Sequence, residues 1–310
     1  MIISTTLIQL IVTPALSPLG IGLIRKIKAK LQNRQGASIT QPYRDLWKLF
    51  HKDEVISKDA SWIFKYAPYF VFATTIVVGS CIPYIDSLGR SILAPDMLVI
   101  IYTLATGTFF LALAGMDTGG GFGGFGSSRE MTISALAEGG LIFSFLTLSI
   151  ISHTTNLLEM ANGINLAYGN FSLPILLAFS GYFIVLLAET SRFPFDNPAT
   201  HLELTMIHEA MILEYSGKKL ALMEWSAANK LFIFAVLGSN LFFPWWIASG
   251  ASIYSIIQEV IVLFIKLLLI YTSIALLESS IAKFRFFRLP DLLIISYILN
   301  IIAIGLINYI

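Results

Sequence analysis

Eight apolar runs, each about as long as a membrane-crossing helix, constrain this chain more than any other feature. They cover residues 2–24, 67–85, 97–115, 131–152, 172–190, 229–249, 254–277 and 291–308. A helix needs about 20 mostly apolar residues to cross the hydrocarbon core. None of the runs shows the two-residue alternation of a barrel strand. The expected fold is therefore all-α and polytopic, a single membrane domain over residues 1–310 with eight transmembrane helices. Composition agrees: 56% of residues are hydrophobic and 13% charged, against about 45–50% and about 25% in soluble domains. The opening MIISTTLIQLIVTPAL lacks the basic n-region of a cleavable signal peptide and reads as a retained first span.

Lysines and arginines set the orientation. The connection at 25–66 carries Arg25, Lys26, Lys28, Lys30, Arg34, Arg44, Lys48, Lys52, Lys58 and Lys65. Arg129 precedes the fourth span, Arg192, Lys218, Lys219 and Lys230 flank the connection between the fifth and sixth, and Lys283, Arg285 and Arg288 lie before the last. The alternate connections hold only Arg90. The positive-inside rule then places the basic connections in the cytoplasm and both termini outside. FFPWW at 242–246 reads as an interfacial aromatic belt. Within the first basic connection, Leu46, Leu49 and Phe50 share one helical face with Tyr43 and Trp47 beside them. Arg44, Asp45, Lys48 and Lys52 fall largely on the other. That pattern predicts an amphipathic helix lying in the cytoplasmic interface.

Two tempting sites are weak. DTGGGFGGFGSSRE contains a literal GxGxxG at Gly121, Gly123 and Gly126, but a dinucleotide site needs a preceding strand and a crossover helix. Flanked by transmembrane runs, it reads as a flexible loop whose Ser127 and Ser128 cap the next helix. The single cysteine, Cys81, cannot make an internal disulfide or hold an iron–sulfur cluster, which takes about four ligands. The HEAMILE segment has no HExxH, and His201 and His208 are too far apart to ligate one metal.

Carboxylates inside apolar runs carry more weight. Glu138 lies within the fourth span, with Glu130 about 12 Å below it on the same helix. A charge at mid-bilayer costs about 2.5–3.5 kcal/mol on insertion scales, so such a group is expected to face protein or water and to serve a function. Glu259 and Lys266 lie on one face of the seventh span about 10 Å apart; a structural ion pair and a proton relay remain open for them. The stretch ETSRFPFDNPATHLELTMIHEAMILEY holds Glu189, Asp196, Glu203, Glu209 and Glu214 against Arg192 alone. Pro194 and Pro198 end the fifth span, and Asn197 or Thr200 is placed to start a helix that puts Glu203 and Glu214 on one face, about 16 Å apart. These separations suit proton sites bridged by water better than one reactive centre. A solvated segment that docks a partner fits the composition as well.

Several motifs, in order, resemble a known family. LQNRQGAS after the first span resembles its Gln-x-Arg-x-Gly signature, and QPYRDLWKLFHKDE its interfacial helix. ETSRFPFD resembles the Glu-x-x-Arg-x-Pro-Phe-Asp hallmark, LEYSG its downstream Glu-Tyr-Ser-Gly, and FRFFRLPDLL the loop before the last span. The family is the large membrane subunit shared by respiratory complex I and the membrane-bound, energy-conserving NiFe hydrogenases. DTGGGFGGFGSSREM and NPATHLELTMIHEAMILEYSG resemble the branch of formate hydrogenlyase subunit 4 and hydrogenase-4 component C.

The resemblance implies a non-catalytic subunit of an oxidoreductase complex in the bacterial inner membrane, with no redox cofactor of its own. Iron–sulfur clusters, and a NiFe site, are implied for hydrogenase-like large and small subunits, with antiporter-like subunits as membrane partners. It carries Glu189, Asp196, Glu203 and Glu214 over as the lower part of a proton route. Glu138 and Glu130 become its intramembrane part, and Arg192 the arginine that fixes carboxylates. Loops 25–66 and 191–228 become docking surfaces, through Arg34, Asp45, His201, His208, Glu209 and Arg288. The rival readings are a quinone-binding subunit of an NADH dehydrogenase, where the same loops make a quinone chamber, and a stand-alone ion transporter.

Overall fold

The computed structural model describes residues 2–57, 59–82, 84, 96–196, 206–245 and 253–309. Ten α-helices stand among them: α1 (Ile2–Leu31), α2 (Gln41–Phe50), α3 (Trp62–Cys81), α4 (Met97–Asp117), α5 (Gly121–Ser152), α6 (Leu157–Glu189), α7 (His208–Ile212), α8 (Gly217–Phe242), α9 (Ile253–Ser280) and α10 (Leu289–Ile307). Eight are long and apolar enough to cross a membrane; α2 and α7 are not. The expected all-α, eight-span fold is what the chain adopts.

α8 is the hub, packing on α1, α3, α6 and α9, and it is the most buried span. Lipid tails are as apolar as leucine, so polar cross-links and small residues do much of the joining. Asn229 in α8 donates to Thr75 of α3 (3.1 Å) and accepts from Ser17 of α1 (2.6 Å). Tyr182 of α6 donates to the Phe234 carbonyl of α8 at 2.7 Å. Asn300 of α10 donates to Ser144 of α5 at 2.9 Å. Together α5, α6 and α10 close the other side of the bundle.

The glycine-rich stretch departs from expectation. It forms the first turns of α5, with Gly120 at the N-cap position. Ser127 does not cap; its hydroxyl donates to the Ala112 carbonyl of α4 at 2.8 Å. A Cβ on Gly123 would collide with the Gly115 carbonyl, and one on Gly126 would lie 2.8 Å from the Ile207 carbonyl. These glycines permit close helix approach; they are not a flexible loop.

Three other boundaries move. α8 starts at Gly217, well before residue 229. That places Lys230 about 20 Å along the helix, inside the span and not at its flank. α6 begins at Leu157 and is broken at Phe171. The helix expected over 201–215 is only α7 within the described residues; Glu203, His201 and the cap candidates Asn197 and Thr200 lie outside them. α2 is present and packs on α8 and α1 through Leu46 and Pro42, while Trp47 is exposed. With α7 and the basic connections it forms the basic end of the bundle.

Candidate functional site

At the basic end the chain turns sharply after α6. Ser191 takes a left-handed backbone (φ 51°) and the Arg192 amide donates to the Leu187 carbonyl at 2.8 Å. This aims Asp196 inward, where it is 1% exposed. Its carboxylate accepts from the amides of Ile207 (2.9 Å) and His208 (3.1 Å) and from Lys283 Nζ (2.7 Å). A helix start leaves amides without intrahelical partners, and Asp196 supplies acceptors for those of α7. Arg192 meets Glu278 at 3.3 Å, and Lys28 meets the other oxygen of Glu278 at 3.1 Å. One buried carboxylate thus draws together α1, the end of α6 and the end of α9.

Deeper in the bundle, Lys230 Nζ lies 2.7 Å from Glu189 Oε2, with side chains 16% and 6% exposed, and donates to Thr108 at 3.2 Å. Glu130 shares the small cavity that these groups line, with Thr74, Thr75, Ser226 and His208. Its volume is 60 Å³, well above the roughly 10–15 Å³ that a cavity needs to hold a water. Two buried atoms of its lining residues, Glu189 Oε1 and His208 Nε2, make no hydrogen bond to the protein. Buried polar atoms of this kind are ordinarily satisfied, so the cavity suits water. Glu138 lies higher on α5, where it accepts from Ser134 at 3.1 Å and is within electrostatic range of Glu189 and Lys230.

A second cavity, of 820 Å³, opens at the basic end. Arg25, Lys28, Arg34, Lys48, Lys52 and Arg192 line it, facing Asp45, Asp196, Glu209, Glu224 and Glu278. Thr190, Ser191 and His208 line both cavities, so His208 stands in the partition between a charged chamber and the buried cluster. Burial lowers the His208 pKa to about 4, against the opposing pull of Asp196. The ring is therefore neutral at pH 7, with one nitrogen able to donate and the other to accept. Burial, with Glu224 and Asp196 nearby, raises the Glu209 carboxyl to about 7.

A model of the NADH dehydrogenase family matches residues 3–309. The chain belongs to that family. Hydrogenase-4 component C of Escherichia coli (strain K12) is 32% identical over 280 residues, 90% of this chain and 88% of that protein. Formate hydrogenlyase subunit 4 of the same organism is 27% identical, covering 90% of each. A subunit of the NADH-quinone oxidoreductase of Paraburkholderia phymatum is 25% identical over 82% of this chain and 74% of its own length. Among solved structures, the membrane-bound sulfane sulfur reductase, an archaeal respiratory membrane complex, contains a chain that superposes with a TM-score of 0.84 at 22% identity. The match covers 97% of this chain and 99% of that one, and shows the shared fold.

Within this member of the NADH dehydrogenase family, the structure gathers some expected residues and separates others. Glu130, Glu189 and Asp196 are buried near one another's charges. Glu214 is exposed beyond the end of α7, beside Gly120. His208 and Glu209, expected on a docking face, are half-buried and line the chamber, with His208 Nε2 buried. Arg34 and Asp45 also line the chamber, Asp45 accepting from Gln41 at 2.8 Å, and Arg288 is exposed. Glu259 is buried in α9, whereas Lys266 makes no hydrogen bond or ion pair among the described residues.

Lys230, Glu278 and Glu224 were not singled out by sequence reasoning. Lys230 was read only as a flanking charge, because the polar first turns of α8 mask its start at Gly217. Glu278 was not legible, because its partners lie 250 and 86 residues away. No group of three or more His, Cys, Asp or Glu able to hold a metal occurs among the described residues.

Proposed function

We propose that this chain is the membrane anchor and proton-conducting subunit of a complex-I-like, membrane-bound hydrogenase of the formate hydrogenlyase or hydrogenase-4 type. The observation that carries the reading is the meeting of the charged chamber and the buried Glu189–Lys230–Glu130 cluster at His208. Identity to the two hydrogenase-type relatives supports the branch. The basic end faces the cytoplasm, with both termini outside, and docks iron–sulfur and hydrogenase-like subunits through the loops around α2 and α7. Antiporter-like subunits adjoin it in the bacterial inner membrane.

The chain's own part is to hold and pass protons. Asp196 and Arg192, fixed by Lys283 and Glu278, keep the loop after α6 in place. Neutral His208 hands a proton, through water, between the chamber and Glu189. Lys230 links Glu189 to Glu130, and Glu138 continues the route upward. Neighbouring carboxylates titrate as a set, so a change of field from a redox event next door shifts the proton without any reaction in this chain. The family resemblance adds Glu203 and Glu214 as the lower part of the route.

Purification in gentle detergent through a tag on this subunit, followed by nickel and iron analysis, tests the assignment. Nickel with iron is the expected result. Iron alone, with quinone-dependent turnover, would replace it with a quinone reductase. Neither metal in an intact preparation would leave the transporter reading standing.

A further inference from the structure

Among the described residues, Lys28 and Arg192 pair with Glu278, Lys230 with Glu189, Lys283 with Asp196, and Lys219 with Glu54. Lys266 differs. It sits midway along α9, about 20 Å from either end, half-buried and without a hydrogen bond or ion pair among the described residues. A lysine stem snorkels only where its ammonium reaches the interface. That stem spans about 6 Å, and the half-thickness of the hydrocarbon core is about 15 Å. Glu259 lies about 10 Å along the same helix and has an interaction of its own. No described residue supplies the counter-charge for Lys266, which points to a partner at its own depth.

The surface around it fits a protein partner. α9 packs on α1 and α8, and its remaining face presents Ile261, Phe264, Ile265 and Leu269, each about half exposed. A lipid phosphate lies at the interface, too far away to neutralise the ammonium. We propose that this face of α9 docks a helix of a second membrane subunit, which presents an aspartate or glutamate to Lys266 in mid-membrane. The proposal rests on reading the chain as one subunit of a larger membrane complex.

Photo-crosslinking amino acids at Ile265 and Leu269, with Ile301 of α10 as control, test this in the complex purified from native membranes. The expected product joins α9 to a different chain, within one turn of a carboxylate on an apolar helix. Lys266→Glu should then cut co-purification of that chain at least tenfold, and reversal of the partner's carboxylate to lysine should restore it. Lys266→Met, which removes only the charge, guards against a failure to fold and should give an intermediate loss. Cross-links to lipid alone, to a second copy of this chain or to a helix lacking a carboxylate would overturn the proposal while leaving the complex intact. So would full co-purification with Lys266→Glu. Recovery of this subunit alone from native membranes would instead overturn the complex reading itself.

Discussion

Lys230 and Lys266 are both lysines near the middle of a long apolar helix, and the protein treats them in opposite ways. Lys230 is enclosed by α3, α4, α5 and α6, paired with Glu189 and bonded to Thr108. Lys266 stands at the edge of α9 with nothing among the described residues to pair it. The cost of a charge in a bilayer is thus met inside the chain in one case and, on the docking proposal, deferred to a partner in the other. An intramembrane lysine is informative less for its depth than for where its counter-charge is supplied.

The largest expected effect breaks the enclosed pair. Lys230→Met leaves Glu189 buried without a cation and should cost about 3–5 kcal/mol of stability, read by thermal unfolding of the purified protein. Pairing it with Glu189→Met should recover most of that loss, because a buried ion pair is often replaceable by apolar side chains. Proton movement should stay abolished in the double variant, which separates the stability of the pair from its function.

A smaller effect comes from Glu209, in the chamber wall. Its folded value of about 7 lies above the usual 4.5, so the folded protein keeps a proton that the unfolded chain releases between those values. Stability therefore falls as pH rises through that window. Glu209→Gln should gain roughly 1–3 kcal/mol over the parent at pH 8 and nothing at pH 4, in a pH series of unfolding midpoints. His208 acts in the reverse sense. With its folded value at about 4 against 6.5, its contribution is present above pH 6.5 and lost as pH falls towards 4. The smallest effect is at the unpaired lysine. Lys266→Met should cost the isolated subunit no stability, because it breaks no polar contact among the described residues and removes an unpaired intramembrane charge. Equal losses from Lys230→Met and Lys266→Met would remove the distinction between the two.

The eight spans were legible because run length and apolarity are local properties of sequence. So was Glu138, which interrupts the fourth apolar run, and Glu130 follows from the turn count along the same helix. The start of α8 was not, because Lys218, Lys219 and Glu224 lower the hydropathy of its first turns while the helix continues through them. That single displacement hid Lys230. The glycines before Glu130 suggested a loop because glycine disfavours helix on its own; close packing of α4 on α5 overrides that preference. The ties from Glu278 to Lys28 and Arg192, and the burial of His208 Nε2, depend on tertiary folding and leave no local signal.

The most direct test is proton uptake by vesicles carrying the whole complex with Glu130→Gln, measured beside electron transfer between the peripheral subunits. Gln keeps the shape of the buried side chain and removes its ability to carry a proton. The account predicts that electron transfer persists at near the parental rate while proton movement is lost. Parental proton movement with Glu130→Gln in place would contradict the route through the cluster beneath His208.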